Sequence, residues 1–192
     1  MDLKHRHSHF LMGYWRGLRT AAHLQQQGEL DADILRCLLP NILLVDRDDD
    51  GQASVRLAGK NTRARFGVTE QNRNFLSSFA VSDHARIAAA LADAVEKRHP
   101  LKLFILASMK SGGWAEFEAV LLPVHSQDGT ASHFIGVHLP LGVSDEYDSI
   151  LEQYVLEISP MTLDLHLMPP GGRAARAGGG TKRGLRLVSS RG

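Results

Sequence analysis

The sequence predicts an α+β domain: a five-stranded antiparallel sheet with helices on one side and flanking N- and C-terminal helices. Three observations predict it. Two strand-like segments, residues 42–45 and 53–57, flank an acidic turn that ends in Gly51. A helical middle follows, closing in a stripe at Ile87, Leu91, Ala94 and Val95. Three further strand-like segments come next, separated by Gly112–Gly113 and by Asp128–Gly129.

Taken in order, residues 10–26 place Leu11, Trp15, Leu18 and Ala22 at helical spacing, with Gly28 as a stop. Asp31 or Asp33 is placed to cap a short helix through Leu39, which Pro40 should end. Residues 42–45 form a buried strand, and Ala53, Val55 and Leu57 alternate against Ser54 and Arg56 as a half-buried strand does. Residues 60–79 read as short helices or turns. Ser82 is expected to cap the next helix, with Asp83 favourable in its first turn and Pro100 as its end. Residues 101–108, 114–126 and 133–141 are the last three strands; in the second, Glu116 and Glu118 alternate with Phe117 and Ala119. Residues 143–160 place Tyr147, Ile150, Leu151, Tyr154, Val155 and Ile158 on one helical face.

The 192 residues suit one well-buried domain with flanking segments. No apolar run approaches the ~20 residues of a membrane span. The basic start, MDLKHRHSHF, lacks a following signal-peptide core because Gly13, Tyr14, Arg16 and Arg19 interrupt it. One cysteine, Cys37, leaves no intrachain disulfide framework, and a cytoplasmic location is expected. The net charge of +1 is uneven. Residues 171–192 carry six basic residues, seven glycines and no acid, against 16 basic and 21 acidic residues elsewhere. Such a tail, with residues 161–170 before it, is expected to be disordered. Its charge is compatible with nucleic acid or an acidic partner; a solvated tail without a target is the alternative.

The order strand, strand, helices, three strands over residues 33–141 resembles that of a PAS domain. The segment RLAGKNTRARFG, residues 56–67, resembles the family's second strand and following helix. SDHARIAAALADAVEKRHP resembles its long helix, and WAEFEAVLLPV and FIGVHLPL its last two strands. The leading Trp15 helix, the RLAG strand and the Phe66–Gly67 pair are similar to a group of short bacterial proteins that hold little besides one PAS domain. The resemblance implies a sensor or regulatory module that binds a small ligand between sheet and helices or pairs with other proteins.

Flavin-photoadduct relatives carry an Asn-Cys pair before an Arg-Phe-Leu run, whereas QNRNFL, residues 71–76, has no thiol, so that nucleophile is missing. Haem relatives use an axial histidine near the long helix. His84 and His99 flank it here, but at positions expected to be solvated, so haem is disfavoured. His138 is expected on the sheet's solvent face or satisfied by a backbone partner. His5, His7 and His9 lack convergent metal-ligand partners. Asp46, Asp48, Asp49 and Asp50 cluster as calcium ligands do, but no Glu stands near the twelfth position. Cys37 is expected to pack as a small apolar residue. No base, nucleophile and orienting group stand at catalytic spacing, so a non-enzyme is expected.

The candidate interior comprises Val45, Leu57, Phe66, Phe75, Phe79, Leu103, Phe117 and Val137, with Asn61 or Ser108 as polar anchors. It suits either a ligand pocket or a solid core. Trp15 and Leu18 on one flanking helix, with Ile150, Leu151 and Tyr154 on the other, are expected either to cover the sheet's open face or to join two copies into a homodimer. The leading expectation is a non-enzymatic signalling protein acting through a protein partner. The alternative is a nucleic-acid-associated regulator using its tail.

Overall fold

The structure, a computed structural model, describes residues 3–20, 36–48, 50–66, 73–125, 131–142 and 150–161. The chain runs α1 (Arg6–Thr20), a 3-10 helix (Arg36–Asn41), β1 (Ile42–Arg47), β2 (Ala53–Ala58), α2 (Lys60–Phe66) and a 3-10 turn (Phe75–Ser78). It continues through α3 (Val81–Glu96), β3 (Leu101–Met109), β4 (Trp114–His125), β5 (Ala131–Pro140) and β6 (Ile150–Pro160). The expected features at Gly28, Asp31, Asp33, Asp128–Gly129 and Tyr147, and the tail, lie outside the described residues.

The strands form one antiparallel sheet in the order β2-β1-β5-β4-β3-β6. It has six strands where five were expected, because residues 150–160 are a strand and not the C-terminal helix. The physical reason lies in its register. Phe104 pairs with Glu157 while Ile105 pairs with Val155, and Ser108 pairs with Glu152 while Met109 pairs with Ile150. Leu156 and Leu151 are thus bulged out, and two bulges turn a period of two into a spacing that imitates a helix. The open edge of β3 supplies the hydrogen bonds that decide in favour of a strand.

Helical elements pack on both faces of the sheet. One core holds Phe66, Phe75, Phe79, Ile87 and Leu91 against Val45, Leu103, Ile105 and Phe117. On the other face Leu11, Met12, Trp15 and Leu38 pack on Ile42, Leu44, Val120, Leu122, Ile135 and Val137. The N-terminal helix therefore covers the sheet, as one of the two expectations had it. Trp15 is only 4% exposed, and its indole Nε1 donates to Pro123 O at 3.3 Å. Glu118, buried on β4, accepts from Lys4 N (2.8 Å) and His5 N (3.2 Å), so a carboxylate from the sheet satisfies two N–H groups at the start of α1.

Several local details differ from the sequence expectation. Pro40 lies inside a 3-10 helix instead of ending one. Ala80, not Ser82, is the N-cap of α3, with no side-chain cap. Asp83 instead turns inward, where Oδ2 accepts from Val155 N at 2.9 Å and ties α3 to β6. A bulge sets Val45 opposite Val55 and Leu44 opposite Leu57, so Arg56 is skipped. Leu57 thereby leaves the interior and is 40% exposed. At Gly59 a Cβ would lie 1.9 Å from Leu39 O, so only glycine lets the chain pass the 3-10 helix.

Candidate functional site

The interior between sheet and α2/α3 is aromatic. Phe66, Phe75 and Phe79 contact one another at ring-centroid distances of 5.3–6.0 Å. His138 enters this group from β5. It stacks on Phe117 at 4.7 Å with planes 16° apart, and meets Phe66 edge-on at 4.7 Å. This corrects the expectation of a solvent-facing histidine. Because α1 covers the other face, Val137 and Leu139 point there and His138, in the opposite phase, points inward.

The imidazole is fully buried, and its Nε2 lies 2.8 Å from Gln153 Oε1 on β6. Gln153 Nε2 donates to Ser78 O at 3.4 Å, which turns Oε1 toward His138. His138 therefore carries its proton on Nε2, and Nδ1 is a buried acceptor with no hydrogen-bond donor among the described residues. Burial, with the Arg65 charge second, pushes its pKa down to about 3, against the opposing bond to Gln153. Arg65 Nη1 donates to His138 O (3.0 Å) and Asn41 Oδ1 (3.1 Å), and the guanidinium lies 5.6 Å from the Phe117 ring centroid. Gln153 also accepts through its backbone from Ala80 N at 2.7 Å. The buried polar group thus connects β5, β6, α2 and the start of α3.

The residues named from sequence divide accordingly. Val45, Phe66, Phe75, Phe79, Leu103 and Phe117 share the interior. Val137 belongs to the opposite face, and Leu57 to neither. Asn61 Nδ2 donates to Asn41 Oδ1 at 3.3 Å beside a polar pocket at the molecule's edge. Ser108 lies outward on β3 and donates to Glu152 O at 3.4 Å. Sequence reasoning missed Gln153 and Arg65, since a Gln in an apolar run and an Arg in a basic helix carry no motif.

Of the other residues weighed, His84 Nε2 lies 3.0 Å from Phe79 O and His99 Nε2 lies 2.9 Å from Asp93 Oδ2. Cys37 is exposed instead of packed, because the 3-10 helix turns Leu38 inward. Among the described residues no group of three or more His, Cys, Asp or Glu side chains is placed to hold a metal. Among them too, no helix is long and apolar enough to cross a membrane.

Trp15 faces its own sheet, and the Leu18 side chain lies outside the described residues. Ile150 enters the interior, whereas Leu151 is 65% exposed and Tyr154 faces outward. Tyr154 meets Trp114 at 5.8 Å, and register sets both beside Leu106 and Ser108 on the outer face of β4, β3 and β6. Trp114 is 61% exposed and Leu156 53%. This end of the outer face lies outside the cluster that α1 builds over β1, β4 and β5.

The antiparallel sheet with helices packed on it agrees with the fold that the sequence resemblance implied. The PAS domain family matches residues 3–139, most of the chain, and the chain belongs to that family. The match begins before α1 and takes it in. No curated protein matches the sequence. Among solved structures, a LOV protein of Rhodobacter sphaeroides is 20% identical, at a TM-score of 0.44, over 58% of this chain and 66% of that one. A PAS domain from Colwellia psychrerythraea is 16% identical at 0.43, over 57% and 97%. An RNA-binding light-oxygen-voltage receptor is 20% identical at 0.44, over 58% of this chain but only 33% of that one.

Proposed function

We propose that the protein is a non-enzymatic, cytoplasmic PAS regulator that signals through protein contact, as a homodimer and with a further signalling partner. The observation that carries this is the apolar surface of Trp114, Tyr154, Leu151 and Leu156. Trp114, Leu151 and Leu156 are exposed, and Tyr154 lies half-buried against Trp114, all on β4 and the edge strand β6; large apolar side chains so exposed mark a contact surface more often than chance scatter does. The interior group at His138 supplies the tuning. A small molecule that offers a donor to His138 Nδ1 would act through the imidazole on Gln153, and so on β6, whose outer residues form the surface.

Light scattering tests the association. Wild-type protein is expected at twice the chain mass. The double variant Trp114→Glu, Leu156→Glu is expected at the chain mass, with its thermal midpoint within a few degrees of wild type. A monomeric wild type, or an unchanged dimer in the variant, contradicts the reading. A second reading rests on the tail, whose six basic residues and absent acids suit nucleic acid. Deleting residues 171–192 separates the two, because only the second predicts loss of salt-sensitive nucleic-acid binding.

A further inference from the structure

A polar pocket of about 90 Å³ lies outside the aromatic interior, where the start of α1 meets α2 and the end of β5. His5, Arg6 and His7 form one wall. Asn41, Asn61 and Arg65 form another, and Leu139 with Pro140 closes it. Among the described residues that line it none is acidic. The nearby Glu118 carboxylate is engaged by the N–H groups of Lys4 and His5 and is not part of the wall.

We propose that this pocket binds a small oxyanion, a phosphate or carboxylate group. This goes beyond the signalling reading and does not depend on the contact surface or on a ligand in the interior. Four features carry it. Arg65 is buried and permanently charged, and its Nη1 donates to Asn41 Oδ1 and His138 O, which orient the guanidinium at the wall. Arg6 adds a second charge at the rim. The amide of Asn61 brings donors to the same wall. His7 Nδ1 is buried and has no hydrogen-bond partner among the described residues. Burial and then the Arg6 charge lower the His7 pKa. The volume is about three times the ~30 Å³ that a water occupies in the liquid, room for a group of a few heavy atoms. Through Arg65 the site touches the backbone of His138, so its occupancy reaches the interior group.

Titration with inorganic phosphate and, separately, acetate tests this, with sodium chloride at matched ionic strength as the control. The readouts are calorimetry and the NMR shift of the Asn61 side-chain amide. Saturable binding of at least one of the two anions is expected. Phosphate alone would assign a phosphate ester as the natural group, acetate alone a carboxylate. Asn61→Asp, which puts a negative charge in the same shape, and Arg6→Gln, at an exposed position, are each expected to weaken binding at least tenfold. Arg6→Gln should leave the thermal midpoint of the unliganded protein within a few degrees. A response that only tracks ionic strength, or equal affinity in Arg6→Gln, overturns the proposal.

Discussion

At His138 an imidazole whose ordinary pKa is 6.5 sits among Phe66, Phe117 and Arg65, where protonation is opposed by burial and by a neighbouring cation. The native state therefore holds it neutral down to about pH 3, while the unfolded chain takes up the proton near 6.5. Between those values the unfolded state binds more protons, so this group's contribution is complete above pH 6.5 and is lost as pH falls. From pH 7.5 to 5.5 it removes about 1.4 kcal/mol of stability, or roughly 3–6 °C in thermal midpoint. The quantity that isolates this group is the difference from His138→Asn, whose midpoint should fall less over that range. Equal slopes would show that His138 is not held neutral. The inward turn of this residue was not legible in the sequence. Period-two alternation gives two faces but not which is buried, and with α1 over the far face both sides of β5 are apolar. Leu57 was misread for a related reason, since one bulge at Arg56 reverses the phase after it.

At the scale of elements, the order of five strands with helices α1 and α3 was legible because glycine turns and helical stripes punctuate it, whereas α2 fell in a segment read only as short helices or turns. The sixth strand was not, because its bulges at Leu151 and Leu156 break the alternation. The polar pocket was equally hidden, for its lining comes from residues 5–7, 41, 61, 65 and 139–140, which only the fold brings together. Strand β6 is joined to the rest by three kinds of bond: its ladder with β3, the Gln153 contacts, and Asp83 accepting from Val155 N. Arg86 adds to the last, with Nη2 donating to Val155 O at 2.7 Å. Asp83→Ala leaves a buried N–H without its acceptor, at a cost of about 2 kcal/mol, or roughly 4–8 °C. Hydrogen exchange should show the loosening concentrated in β6 and the first turn of α3. Unchanged protection of Val155 would contradict this role for Asp83.

For the whole molecule, the division of the outer face matters most. Helix α1 buries Trp15 against β1, β4 and β5, with Glu118 fixing its start. Trp114 and Tyr154 lie at the end of that face beyond the α1 cluster. The chain thus holds one tryptophan inside and one outside, and the proposed dimer places the outside one where copies meet. An NMR dilution series following the two indole N–H signals tests this most directly. Association through this surface shifts the Trp114 signal with concentration, together with the amides of Leu151, Tyr154 and Leu156, while the Trp15 signal stays in place. A Trp114 signal independent of concentration, or shifts confined to the exposed side of α1, would contradict it.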